Sequence, residues 1–450
     1  MEPLFGTDGI RGQANRHPIT PEMALQVGKA IARVIGAAGH GSKRVVIGKD
    51  TRLSGYMLET ALTSGLVSMG ADVFLVGPVP TPAVAHLTKS LAADAGIMVT
   101  ASHNPFDDNG IKIFGPDGYK LDDSAEEEIT RLVLSGEISS EHIRSDQIGK
   151  AHRIDDASGR YIEFAKSTIR NEKLNPLKLV LDCANGAAYH MAPLIFRELG
   201  AEVVSSHVAP DGYNINNNCG ALHPHVMAEQ VKACKADLGI ALDGDADRVI
   251  FSDSNGSIVA GDRILAICAL EFRHRGVLAH DTLVCTSMSN FGLRDSMTRH
   301  GIRVVSTDVG DRQVIEAMRA GGFSVGGENS GHIIFIDFAT TGDGIITALQ
   351  IMRLMKNSGQ SLAALAACMH EYPHRLISLP VREKQPLETL PRLSETIRQA
   401  ETALAEQGRV LVRYSGTEHK IRLLVEAKDA TLMEFWVERL CAAVQAELGS

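Results

Sequence analysis

No run in the 450-residue sequence approaches the ~18 consecutive apolar residues that a membrane span needs. The first segment, MEPLFGTDGIRGQ, has no basic start followed by an apolar stretch, so a signal peptide is not expected. The seven cysteines are scattered without a CxxC pair, and the expectation is reduced thiols in a cytoplasm. Basic residues are in deficit: 45 Lys+Arg against 54 Asp+Glu give a net charge of −9. No basic stripe occurs either, which argues against nucleic acid as a partner. Also missing are a Walker A loop, a GxGxxG turn and a GxSxG elbow, so neither nucleotide-binding loops nor a serine-hydrolase elbow is supported. What remains is ordinary globular composition, 44% hydrophobic and 22% charged, with length for several cores.

One pattern occurs three times. Val45 to Gly48 reads as a short strand, about Gly55 to Met69 as a helix, and Asp72 to Val76 as the next strand. Met57, Leu58, Ala61, Leu62 and Leu66 share the helical face. The same grammar returns at Leu179 to Leu181 with a stop at Gly200 and a strand at Glu202 to Val204. It returns again at Leu283 to Cys285, with Gly301 and Arg303 to Val305. The junctions SMGADV, ELGAEV and RHGIRV place glycine where a helix ends, a position that favours left-handed torsions. Three matches in one order imply internal duplication. Each unit runs on to an apolar strand ending in a polar loop: AGIMVTASHNP, LGIALDGDADR and FSVGGENSGH. Ligands of open α/β sheets bind beyond the carboxyl ends of strands, so the three loops are expected to face one cleft. After Tyr372-Pro373 the pattern stops, and helices near 390–407 and 431–448 flank VLVRYSGTEHKIRLLVEA, suggesting a smaller α+β domain. Boundaries fall near 150, 255 and 370.

The loops carry the chemistry. Asp243, Asp245 and Asp247 alternate with small residues, and period two would put all three carboxylates on one side if the strand continued. Crowded carboxylates repel unless a cation neutralises them, and oxygen-only ligands favour Mg²⁺, Mn²⁺ or Ca²⁺. An EF-hand is excluded by Arg248 at its turn glycine and Ser254 at its bidentate Glu. A solvated acidic turn is the competing reading. Ser102 follows the apolar run Gly96 to Val99, so it sits at a strand end; Asn104-Pro105 and Asn109-Gly110 read as turn signals. A serine alone is a weak nucleophile and needs activation, so a plain polar turn also fits. In GENSGH, Glu328, Ser330 and His332 can meet sugar hydroxyls, and His332 can move protons near neutrality; a structural His in a Gly-rich loop fits equally. In RYSGTE, Arg413, Ser415, Gly416 and Thr417 suit a phosphate, with Arg422 expected nearby; a hairpin turn is the alternative.

Together FGTDGIRG, TASHNP, DGDADR, GENSGH and RYSGTE, in that order, resemble the α-D-phosphohexomutase family over nearly the whole chain. The start FGTDGIRG, the segment PDGYNINNNCGALHP and the RYSGTE loop are similar to its bacterial amino-sugar branch. The resemblance implies three related α/β domains with mixed sheets and a smaller C-terminal α+β domain around a central cleft. It divides the chain into a phosphoserine domain (1–150), a metal-binding domain (151–255), a sugar-binding domain (256–370) and a phosphate-binding domain (371–450). The implied reaction interconverts glucosamine 6-phosphate and glucosamine 1-phosphate through a bisphosphorylated sugar that reorients between two transfers. Phosphoserine at Ser102 would give and take the phosphoryl group, with one Mg²⁺ held by Asp243, Asp245, Asp247 and a phosphoserine oxygen.

Position by position, Arg11, Lys112 and Arg248 match basic residues near the transferring phosphoryl, and His103 follows the serine. Lys112 and His332 match proton-transfer candidates. Glu328 and Ser330 match the sugar loop, Arg413, Ser415, Gly416 and Thr417 the site of the other phosphate, and Gly310, Asp311 and Arg312 a further sugar-facing loop. Two departures stand out: His419 and Lys420 follow RYSGTE where the family has Pro, and Asn329 replaces Gln. The expected partner is a phosphosugar, with no membrane; a homodimer is compatible with the sequence, which does not specify an oligomeric state. The rival readings are a glucose- or mannose-phosphate mutase with the same machinery, a phosphatase using Asp243, and a non-catalytic phosphosugar binder. The phosphatase pattern is similar to DxDx[TV], but Asp247 stands where Thr or Val belongs.

Overall fold

A computed structural model describes residues 4–6, 8–37, 43–415 and 419–449. Internal packing divides the chain into two units, Met1–Ser287 with Val305–Ala366, and Met288–Val304 with Ala367–Ser450.

The triplicated pattern is one topology used three times. In the first copy, strands Lys43–Lys49, Ala71–Pro78, Ala95–Val99 and Asp108–Phe114 follow one another along the chain. In the sheet they lie in the order fourth, third, first, second. The first three are parallel, and the fourth folds back antiparallel on the third. Strands Lys178–Asp182, Glu202–Ser206, Leu238–Leu242 and Val249–Asp253 repeat that order, as do Thr282–Thr286, Arg303–Thr307, Val325–Gly327 and Ile333–Phe335. Parallel neighbours need crossovers, and a helix supplies each one, such as Ser54–Val67 and Thr81–Ser90 in the first copy. Ile10–Gln13 and Ala151–Arg153 extend the first sheet at its two edges. Every residue of Ala95–Val99 and Leu238–Leu242 is buried, which is why these segments read as unbroken apolar runs. Ile47, Ile97, Val99, Leu58 and Leu62 form part of the first core.

The reading of Asn109-Gly110 as a turn does not hold. Both residues lie inside Asp108–Phe114. Asn109 donates to Ser54 Oγ at 2.8 Å, and its Oδ1 accepts from the Gly110 amide. A Cβ at Gly110 would stand 2.6 Å from the Thr100 carbonyl and 2.7 Å from that of Ile10, so glycine serves close strand approach here.

In the second unit, a three-stranded antiparallel sheet in the order His374–Pro380, Lys420–Ala427, Gly408–Tyr414 packs under helices Pro391–Leu404 and Ala430–Leu448. Asp429 caps the last helix through the Thr431 and Leu432 amides. Among the described residues no helix is long and apolar enough to cross a membrane. All seven cysteines are free.

Candidate active site

Within the first unit, each polar loop occupies the same slot: between the third strand of its repeat and the antiparallel fourth. The loops touch one another. Ser102 Oγ donates to Asp243 Oδ2 at 2.7 Å, and Val249 donates its amide to the Gly331 carbonyl at 3.1 Å.

Ser102 sits in a left-handed backbone conformation (φ 51°), uncommon for a residue with a side chain and sustained only by its surroundings. Its amide donates to Thr100 Oγ1 at 2.9 Å, and Thr100 Oγ1 donates to Asp50 Oδ2 at 2.6 Å. Its carbonyl accepts from Arg52 Nη2 at 3.0 Å and from Asn216 Nδ2 at 2.9 Å. Arg52 is wholly buried. Its guanidinium pairs with Asp50 at 2.8 Å and also donates to the carbonyls of Asn104 (2.8 Å), Asp108 (3.1 Å) and Pro105. One rigid fork therefore satisfies four backbone acceptors of the serine loop. Gly244 lies against the same loop: a Cβ there would stand 2.5 Å from the Ser102 carbonyl.

The three aspartates converge, but not through strand pleating. Leu238–Leu242 ends before Asp243, and residues 243–248 form a tight turn with Ala246 at φ 57°. Each of the three offers a carboxylate oxygen within 4.8 Å of the others, all buried. Burial, and then the charges of Asp247 and Asp245, push the Asp243 carboxyl well above its ordinary range. Burial also opposes ionisation of Asp247, yet Lys112, followed by His332 and Arg248, holds that carboxyl well below the usual range. Oδ1 of Asp245 and Oδ1 of Asp247 are buried without a hydrogen-bond donor. Orphaned hard-oxygen donors around a crowded negative pocket fit a divalent cation of the Mg²⁺ type.

Cations frame this pocket. Lys112 is buried and lies 3.0 Å from Asp245, 3.3 Å from Asp247 and 3.3 Å from Asp8. Burial alone would lower its ammonium, but those three carboxylates hold it well above its ordinary value, so it is charged. Asp8 also pairs with Arg11 and, at 2.6 Å, with Lys120, and Lys120 reaches Asp311 at 2.6 Å. Arg248 Nη1 meets His103 Nδ1 at 2.8 Å. Burial, then Arg248 and Arg11, lower the His103 imidazole to about 4, leaving it neutral at pH 7. His332 Nδ1 faces Asp247 Oδ2 at 3.7 Å, while Nε2 accepts from the Gly342 amide at 3.0 Å. Burial would lower this imidazole; Asp247, with Asp311 and Glu328, raises it overall. Glu328 accepts from Ser330 Oγ at 3.3 Å. Arg312 turns away to Glu126 (2.6 Å) and the Leu121 carbonyl.

In the second unit, Arg413 and Arg422 stand directly opposite each other on adjacent strands. Like charges so placed repel, and an anion relieves that repulsion. Lys384 Nζ donates to the Ser415 carbonyl at 2.6 Å. Gly416 and Thr417 lie outside the described residues.

Several site residues escaped the sequence reading: Asp8, Thr81, Lys120, Asn216 and above all Arg52. Thr81 Oγ1 donates to Asp245 Oδ2 at 2.6 Å. The available signal was DTR at residues 50–52, a polar triplet closing the first strand of a repeat whose third strand bears Ser102.

Four domain models of one family match in chain order: phosphoglucomutase/phosphomannomutase alpha/beta/alpha domains I (2–138), II (159–256) and III (260–372), and the C-terminal domain (376–443). The chain belongs to the phosphoglucomutase/phosphomannomutase family. Among curated relatives, a phosphoglucosamine mutase from Citrifermentans bemidjiense is 51% identical over 450 residues, covering 100% of this chain and 99% of that protein. A phosphoglucosamine mutase from Geobacter sp. (strain M21) is 52% identical with the same coverage. Among solved structures, a phosphoglucomutase/phosphomannomutase family protein from Burkholderia thailandensis superposes with a TM-score of 0.84 at 25% identity, over 99% of this chain and 98% of that one. The family carries the four-domain architecture of three related α/β domains and a smaller α+β domain.

Proposed function

We propose that this chain is a phosphoglucosamine mutase, interconverting glucosamine 6-phosphate and glucosamine 1-phosphate by way of a phosphoserine and a bisphosphorylated sugar. The observation that carries the chemistry is the 2.7 Å contact between Ser102 Oγ and Asp243 at the mouth of the aspartate turn. The amino-sugar substrate rests on the full-length relatives that bear that name.

Phosphoryl transfer is mainly positioning and charge stabilisation. Arg52 and Asn216 hold the Ser102 backbone, so its Oγ presents at one point whether or not it carries the phosphoryl group. In the forward half-reaction the P–Oγ bond breaks as the sugar hydroxyl oxygen bonds to phosphorus, and the hydroxyl gives up its proton. In the return half-reaction Ser102 Oγ bonds to phosphorus of the other phosphate as that P–O(sugar) bond breaks, the proton passes to the sugar oxygen, and phosphoserine is regenerated. Lys112 and Arg248 supply fixed positive charge beside the reacting oxygens. His332 is the proton carrier in this reading; it takes a second proton only by releasing the Gly342 amide. Asp243, Asp245 and Asp247 would hold Mg²⁺ together with a phosphoserine oxygen. That ion, when bound, withdraws charge from the transferring phosphoryl and offsets repulsion among the three carboxylates. Glu328 and Ser330 orient the sugar, and Arg413 with Arg422 hold the phosphate that is not transferring.

Intact mass and phosphosite mapping, run beside a panel of glucosamine, glucose and mannose phosphates, test the proposal. The expected result is phosphate on Ser102 and the highest kcat/KM with glucosamine phosphates. A preference for glucose or mannose phosphates would overturn the substrate choice. Hydroxylamine-labile phosphate on Asp243 would overturn the serine mechanism.

A further inference from the structure

A second convergence of ligand-type side chains lies in the middle repeat, away from the aspartate turn. Asp182 closes the strand Lys178–Asp182, His207 follows the parallel neighbour Glu202–Ser206, and Cys219 precedes the short turn Gly220–Leu222. One ligand atom from each lies within 4.8 Å of the other two. Asp182 and Cys219 are buried, whereas the His207 side chain keeps 28% of its surface exposed.

Two details separate this cluster from ordinary packing. His207 Nδ1 is buried and lies 3.1 Å from Asp182 Oδ2, its ion-pair partner. Asp182 is itself locked, with Oδ1 accepting from the Ala184 amide and Oδ2 from the Gly220 amide, both at 2.9 Å. A fixed carboxylate, a buried imidazole nitrogen and a buried thiol thus share one focus. His207 holds φ 49°, a left-handed conformation.

We propose that Asp182, His207 and Cys219 form a second metal site, taking a borderline transition-metal dication of the Zn²⁺ or Co²⁺ class. The donor set decides the class. Oxygen-only carboxylates suit Mg²⁺, while one sulfur, one imidazole nitrogen and one oxygen suit Zn²⁺ and its neighbours. Metal–ligand bonds of roughly 2.0–2.3 Å keep the ligands of a tetrahedral ion within about 4 Å of one another, so the cluster needs little closing. The exposed edge of His207 leaves room for a water as fourth ligand. Burial, and then Asp182, push the Cys219 thiol up to about 12, so the unloaded site holds a neutral thiol. On binding, the S–H bond breaks, its proton goes to solvent, and the sulfur electron pair forms the metal bond; no electron changes hands.

Full-length protein, stripped by chelator and then saturated with Mg²⁺ to fill the aspartate turn, is titrated with Co²⁺. The expected result is a thiolate-to-cobalt charge-transfer band saturating at one equivalent, abolished by one equivalent of Zn²⁺. Cys219→Ser and His207→Ala each lose the band while keeping far-UV circular dichroism and Mg²⁺-dependent turnover; Asp245→Asn keeps the band. Zn²⁺ also slows alkylation of Cys219 in the unsubstituted protein, read by peptide mass, a measurement that needs no variant. Absence of the band, its persistence in both ligand variants, or alkylation of Cys219 at an unchanged rate with Zn²⁺ would overturn the site.

Discussion

Ser102 and Asp243, 141 residues apart in the chain, are joined by a 2.7 Å hydrogen bond between two buried side chains. Neither group is fully served by the other. The carboxyl is driven toward protonation by burial and by its aspartate neighbours. In the proposed reaction both would meet a phosphate and a cation.

Replacing Ser102 with Ala removes the atom that carries the phosphoryl group in the proposed reaction. Mutase turnover should fall to background in a coupled assay. The protein should remain folded, with a stability change on the order of 1–2 kcal/mol in urea titrations, the scale of one buried hydrogen bond. Turnover within tenfold of the unsubstituted protein would remove Ser102 from the reaction.

Arg52 should behave as a positioning residue. Arg52→Lys keeps the charge but cannot reproduce the fork that binds the Asn104 and Ser102 carbonyls together. We expect kcat to fall by roughly 10²-fold with KM nearly unchanged, because a small displacement of the nucleophile costs about that much. Phosphate incorporation at Ser102 should slow in parallel. A purely structural role would instead lower stability and leave kcat of the folded fraction intact.

Chelation should stop turnover, and Mg²⁺ should restore it. Mg²⁺ should also raise the thermal midpoint of the unsubstituted protein, since a ligand bound only by the folded state stabilises it by mass action. Asp245→Asn should lose most of that rise. An unaltered midpoint shift in this variant would contradict the assignment of the aspartate turn.

Asp343 gives a pH signature in stability. It is buried at the start of the helix Gly344–Ser358, capping the Ile345 and Ile346 amides and accepting from Tyr161 OH at 2.7 Å. Burial raises its carboxyl to about 6, so between the unfolded value and 6 the folded protein binds the proton more tightly. Its contribution is therefore full in acid, is lost as pH rises toward 6, and is level above that. The loss should be on the order of 2–3 kcal/mol across that window. Asp343→Asn keeps the amide cap and should flatten this component, as urea titrations at pH 5 and pH 7 in both proteins would reveal. An equal slope in the two would exclude Asp343 as its source.

Arg413→Ala should raise KM for glucosamine 6-phosphate by roughly 10- to 100-fold, the scale of one charge-assisted phosphate contact. It should also ease the like-charge pair with Arg422. A KM within twofold of the unsubstituted protein would move phosphate capture elsewhere.

Legibility followed the range of the forces involved. The triplicated grammar was visible because glycine stops and apolar runs are local signals, and the polar loops stood out at the ends of those runs. Strand order was not visible, because pairing of Ala95–Val99 with Lys43–Lys49 is decided by tertiary packing. Arg52 was missed for the same reason: its acceptors are carbonyls 50 or more residues away. The aspartates converge by another route than alternation, because the strand Leu238–Leu242 stops and the backbone turns at Ala246. Asn109-Gly110 shows the opposite error, a turn signal overridden by the close packing of neighbouring strands.

The shared strand order has a consequence for how such a site could arise. A serine, a cluster of carboxylates and a glutamate–histidine loop occupy one equivalent slot in three tandem copies of a single fold. Each copy could therefore diverge in its loop while its scaffold stayed under separate selection for packing. In the proposed reaction, three unlike functional groups would thus come from three like scaffolds.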